Sequence, residues 1–225
     1  MEQKIEHVTF TSEGLMLEGM LSAPAAGAAM SAGVVVCHPH PEYGGDMDNN
    51  VVLGIVNVLQ ETDSAVLRFN FRGVNASEGI HDGGRGEIHD VLAALDFLEK
   101  QPIVDKSRIF LVGYSFGAHV GLRAILQSGK AKAAVAVAPP LSMYNFEFLT
   151  ALSIPLLVIC GDRDQFCSLA ELKCLYDTIT APKKAVVLRG MDHFFWENDT
   201  LPGQAVKDFL CSYLGMDSGM ESIGS

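Results

Sequence analysis

"RIFLVGYSFGAHVGLRAILQSG", residues 108–129, reads as a strand that turns directly into a helix. Ile109 to Gly113 form a strand-like apolar run. The turn falls around Ser115, between Gly113 and Gly117, and the helical stretch behind it ends on Gly129, a residue suited to a helix C-terminus. The same alternation repeats on both sides. "AGVVVCH" (32–38), "SAVLRFNF" (64–71), "AAVAVAP" (133–139), "IPLLVICG" (154–161) and "KAVVLRG" (184–190) read as buried strands. Between and after them, residues 49–62, 87–101, 168–179 and 203–215 carry helical signals, with Asp48 read as the cap of the first. Two alternating strands, 5–12 and 15–23, lead the chain around a Glu13-Gly14 turn. With these two included, about eight strands are expected. The fold class is α/β: a mostly parallel sheet, helices on both faces and an antiparallel N-terminal edge.

The chain has 225 residues, 48% hydrophobic and 19% charged, which suits one core rather than two. Residues 1–225 are therefore read as a single domain, with 215–225 as a loose tail. The net charge of −11 argues against nucleic acid, which needs clustered Lys and Arg. No run of about 18 apolar residues exists, so no membrane span is expected. The stretch "MEQKIEHVTF" lacks a basic segment followed by an apolar one, and five cysteines show no CxxC spacing. A reducing cytoplasm is the expected setting. A monomer or a homodimer is expected.

G-x-S-x-G alone is weak in a chain with 22 glycines. Its position between a strand and a helix is more specific. Such a turn strains the serine backbone, brings free helix N-terminal N–H groups beside it, and requires small neighbours. Ser115 is thus the candidate nucleophile. It needs a base, and the base needs an orienting acid. His119 is the nearest histidine, but it is carried around to the helix flank. His193, in "LRGMDHFFWEN", directly follows the last strand, at the sheet edge where open α/β folds bind ligands. "LLVICGDRDQF" offers Asp162 and Asp164. Asp164 lies far enough past the strand to fold back and is preferred, while Asp162 suits local backbone bonds. Asp192, beside His193, is a third carboxylate in reach.

An oxyanion of acyl transfer needs two backbone donors. One is the N–H of Phe116. The second should come from "HPHPEYGG", residues 38–45, where Pro39 and Pro41 cannot donate. His40 is the first free donor, with Glu42 or Tyr43 behind it. His38 and His40, with Asp46 and Asp48 nearby, could also be read as metal ligands. A catalytic metal wants three convergent ligands and no HExxH is present, so no metal and no cofactor are expected.

The ordered set "HPHPEYGG", "RFNFRGVNASEG", "GYSFG", "GDRDQF" and "MDHFF" resembles the α/β-hydrolase superfamily, from about residue 5 to 214. It is most similar to compact bacterial serine esterases with an HPHP-x-YGG loop. The resemblance implies a Ser115–Asp164–His193 triad and hydrolysis of carboxylic esters. Many such relatives carry Gly where Asn75 stands; if the site needs a positive φ, Asn tolerates it better than most residues. Arg72 is read as a loop brace.

In this fold a lid is usually inserted after the sixth strand. Here residues 139–155 are too few for a cap domain. Tyr43, Leu141, Met143, Tyr144, Phe146 and Phe194 are the candidate pocket walls, with Phe148, Leu149, Phe195 and Trp196 further possibilities. A shallow pocket points to a small-molecule ester with a short acyl chain. A peptidase or thioesterase on the same residues, or a non-catalytic binding protein, are the alternatives.

Overall fold

The β-branched runs become the centre of one twisted sheet, because a strand buried on both faces needs a compact apolar side chain at every position. A computed structural model describes residues 3–24, 30–196 and 198–214. Its strands are β1 (Gln3–Ser12), β2 (Leu15–Pro24), β3 (Ser31–Cys37), β4 (Ser64–Phe69), β5 (Val104–Tyr114), β6 (Ala133–Val137), β7 (Leu156–Gly161) and β8 (Lys183–Leu188). Its helices are α1 (Asn50–Leu59), α2 (Arg85–Glu99), α3 (Phe116–Ser128), α4 (Leu169–Thr178) and α5 (Thr200–Leu214). The eight strands run in the order β1-β2-β4-β3-β5-β6-β7-β8. The β1–β2 and β2–β4 pairs are antiparallel and all later pairs parallel. The expected fold class is the one found. The hairpin between β1 and β2 turns through Glu13 (φ 48°) and Gly14 (φ 86°), the left-handed pair that matches strand twist.

Two apolar layers sandwich the sheet. Leu95 and Leu98 of α2 and Ile125 of α3 pack with Leu111 and Leu67 on one side. Val51, Ile55 and Leu59 of α1 join Val206 and Leu210 of α5 on the other. Each such buried side chain contributes about 1.5–3 kcal/mol.

Two local expectations are corrected. Asn49, not Asp48, caps α1, accepting the Val51 N–H at 3.0 Å, while Asp48 pairs with Arg68. Helix α5 begins at Thr200 rather than Gly203, with Pro202 in the first turn, where its missing N–H costs nothing. The tail expected over 215–225 lies outside the described residues.

Residues 138–155 join β6 and β7 with only a short 3₁₀ turn, Glu147–Ala151, and no cap domain. No described helix is long and apolar enough to cross a membrane. The parallel strands β3, β4, β5, β6, β7 and β8 all end at one edge, and the loops that follow them meet there.

Candidate active site

Ser115 is the single residue between β5 and α3, at φ 54° and ψ −119°. Such a backbone costs about 1–3 kcal/mol unless the surroundings enforce it. They do. The Ser115 N–H donates to Val137 O at 2.9 Å. A Cβ on Gly113 would sit 2.4 Å from Gly117 O, and one on Gly117 would sit 2.5 Å from Cys37 O and 2.6 Å from His38 O. Only glycine lets α3 dock this close to β3 and β5.

His193 is carried by the loop after β8. Asp192 accepts the N–H groups of Phe194 and Phe195, both at 3.0 Å, and Phe195 (φ 50°) is wholly buried. The Tyr114 hydroxyl donates to His193 O at 3.0 Å. Burial and nearby carboxylates raise the Tyr114 pKa, so it stays a neutral donor. Asp162 accepts the Gly190 N–H at 2.6 Å and ties the β7 and β8 loops together. Asp162 and Asp192 are thus engaged with backbone.

Asp164 is the carboxylate that faces the imidazole. Its oxygens lie 3.0 and 2.9 Å from His193 Nδ1. Its Oδ1 also accepts the Phe166 N–H at 2.8 Å and the Cys167 N–H at 3.0 Å. The Asp164 side chain is completely buried. On the other side of the ring, His193 Nε2 lies 2.9 Å from Ser115 Oγ. A carboxylate can only accept, so the proton belongs on Nδ1 and Nε2 presents its lone pair to the hydroxyl.

His38 is buried and both ring nitrogens are used: Nδ1–H donates to Pro39 O at 2.7 Å and Nε2 accepts the Phe71 N–H at 3.0 Å. Burial pushes its pKa down to about 3. It binds two loops together and has no electron pair left for a metal. His40 lies between two prolines and caps a 3₁₀ turn, Pro41–Tyr43. The Glu42 N–H is spent on His40 Nδ1 at 3.2 Å and the Tyr43 N–H on His40 O at 3.1 Å. The N–H groups of His40 and Phe116 have no acceptor among the described residues.

Both residues line a cavity of about 540 Å³ that also contains Ser115 and His193. Its walls include Tyr43, Met143, Tyr144, Phe166, Phe194 and Trp196. Leu141 and Phe146, expected as walls, are not among them. Phe146 is 4% exposed and packs on Phe148, and Leu141 turns onto the same core. Phe148, Leu149 and Phe195 likewise serve the core. Sequence reasoning missed Asn49 and Asn50, at the start of α1, and Phe166. The one available signal for Phe166 was its place two residues after Asp164.

The His119 side chain packs among aromatic rings instead of facing His193. It stacks on Tyr144 at 4.6 Å, beside Phe146 and Phe148, with Nδ1 unpartnered. Burial and then Arg123 push its pKa down to about 4. Arg72 braces the loop after β4 through Asp90 (2.8 Å) and Glu13 (3.0 Å), and Asn75 adopts φ 48°.

The profile of a family described as an α/β-hydrolase domain matches residues 32–208. An uncharacterized Rickettsia prowazekii protein, RP471, is 34% identical over 184 residues, which is 78% of this chain and 77% of that protein. A solved α/β serine hydrolase homologue from Coxiella burnetii superposes with a TM-score of 0.80 at 33% identity, covering 93% of this chain and 97% of its own. A lidless α/β serine hydrolase from Xanthomonas campestris does so with 0.83 at 28%, covering 95% and 96%.

Proposed function

This chain belongs to the α/β-hydrolase family, and on that premise we propose that it is a serine esterase cleaving short-acyl carboxylic esters of small molecules. The observation that carries the reading is the continuous hydrogen-bonded line from Ser115 Oγ through His193 to Asp164, with contacts of 2.9 Å on both sides of the ring. Ser115 attacks the ester carbonyl as His193 Nε2 takes its proton. Asp164 holds the imidazole in the Nδ1–H tautomer and balances the imidazolium that forms. The Phe116 and His40 N–H groups donate to the oxyanion, a stabilisation worth about 3–4 kcal/mol per donor in such sites. His193 then protonates the leaving alcohol, and water repeats the cycle on the acyl-enzyme.

The absence of a cap between β6 and β7 supports a small substrate. The apolar walls give an acyl group area to bury, but the cavity of about 540 Å³ opens to solvent past Tyr43 and Trp196, 77% and 64% exposed. The test is hydrolysis of p-nitrophenyl acetate by wild type and Ser115→Ala. Turnover that vanishes in the variant supports the reading; turnover that persists rejects it.

A further inference from the structure

One histidine of the oxyanion loop has a second neighbourhood. His40 faces the substrate cavity, yet its ring also lies 4.9 Å, centroid to centroid, from the ring of His81 on the loop after β4. Glu42 completes the group: one donor atom from each of His40, Glu42 and His81 lies within 4.8 Å of the other two. We propose that these three residues form a divalent transition-metal site, through which Zn²⁺ inhibits the reaction by displacing the His40 peptide.

The donor set is two imidazoles and a carboxylate, which suits Zn²⁺, Ni²⁺ or Co²⁺. Ligand atoms about 2.0–2.2 Å from a tetrahedral Zn²⁺ stand roughly 3.5 Å apart. Side-chain movement of about an ångström therefore closes the site. His81 has a carboxylate behind one ring nitrogen. Its Nδ1 lies 2.8 Å from Oε1 of Glu87, a fully buried carboxylate held by the N–H groups of Asp82 and Gly84, both at 2.8 Å. A carboxylate behind one ring nitrogen is the outer partner that metal-binding histidines use, and it leaves Nε2 for the ion. That contact is off-line for a good hydrogen bond, so His81 Nδ1 is still unsatisfied. A cation on Nε2 sharpens the N–H donor and improves the pairing.

The approach is open and acidic. A second cavity of about 380 Å³ lies against Glu42, Asp46, Gly73 and His81. It shares Gly44 and Gly45 with the substrate cavity, which His40 lines. His40 Nδ1 now accepts the Glu42 N–H, the bond that caps the 3₁₀ turn. A neutral imidazole has one lone pair, so a metal on His40 must replace that bond. The turn then loses its cap, and the His40 backbone, in the wall of the same cavity as Ser115, is displaced. This consequence rests on the esterase reading, in which His40 supplies an oxyanion donor; the metal site itself does not.

Isothermal titration of Zn²⁺ into the full chain tests the site without reference to activity. Wild type and Ser115→Ala should each bind one ion. His81→Asn should lose more than about tenfold in affinity, the scale on which metal-site groups act. Exposed Glu42→Gln should also weaken binding, and its surface position protects the fold. Co²⁺ should give a visible absorption band with wild type and not with His81→Asn. Zn²⁺ should lower kcat for p-nitrophenyl acetate at the same midpoint as binding, reversibly with EDTA, and not in His81→Asn. Unchanged affinity in both His81→Asn and Glu42→Gln overturns the site and points to cations acting at His193 or Cys174. Binding without inhibition overturns the coupling to the oxyanion loop. If no ester is hydrolysed at all, the titration still decides the metal site.

Discussion

Replacing Asp164 by Asn exchanges one carboxylate oxygen for an NH₂ group, and the structure dictates which. Oδ1 accepts two backbone N–H groups, from Phe166 and Cys167, at 2.8 and 3.0 Å. An amide nitrogen there would face two donors, so the Asn oxygen keeps that place. Its nitrogen takes the position of Oδ2, 2.9 Å from His193 Nδ1. Nδ1 then faces an NH₂ donor, with the Asn oxygen at 3.0 Å already taken by two backbone N–H groups, which favours the tautomer with the imidazole proton on Nε2. That N–H points at Ser115 Oγ, 2.9 Å away, and the serine faces a donor instead of a base. The imidazolium also loses its counter-charge. Where this tautomer switch has been made in a serine hydrolase, kcat falls about 10⁴-fold, or about 5 kcal/mol of transition-state stabilisation. The assay is kcat/KM for p-nitrophenyl acetate at neutral pH, with thermal melting to show that the shape-conserving variant folds. A well-folded Asp164→Asn enzyme within about tenfold of wild type would refute the reasoning.

Gly117→Ala places a Cβ 2.5 Å from Cys37 O, a backbone atom that cannot step aside, so a stability loss of about 3 kcal/mol is expected; a melting temperature equal to wild type contradicts the docking argument. His119 binds a proton more readily unfolded than folded, its pKa lying at about 4 in the fold against 6.5 outside it. Its contribution is complete above pH 6.5 and is lost as pH falls toward about 4, to a total of about 3 kcal/mol. His119→Phe should flatten the urea midpoint across that window, and parallel curves for the two proteins speak against it. Across p-nitrophenyl acetate, butyrate and palmitate, kcat/KM should fall at the long end; a clear preference for palmitate sinks the short-acyl assignment.

The fold was legible because its signals are local and redundant. Each core strand is a continuous apolar run, and the Gly113–Gly117 spacing marks one tight crossover by itself. His193, not His119, lies against Ser115 Oγ, because a strand end presents a side chain at the sheet edge and a helix turn carries it away. The pocket was harder. Leu141, Met143, Tyr144 and Phe146 form one apolar cluster in sequence, but the chain between β6 and β7 is irregular, with no fixed period to sort walls from core. Met143 and Tyr144 face the cavity and Phe146 packs inward. Asn49 and Asn50 were missed because capping signals and cavity position look alike in sequence. His38 and His40, two residues apart, differ completely. Two hydrogen bonds across 33 residues and one peptide bury the first, and only three-dimensional placement brings the second to His81.

The central claim is that Ser115 is a nucleophile activated by His193. Fluorophosphonate labelling followed by intact mass measurement tests it most directly. One adduct per wild-type chain is expected, on Ser115, and none on Ser115→Ala. Equal labelling of the two proteins, or an adduct on another residue, would contradict it.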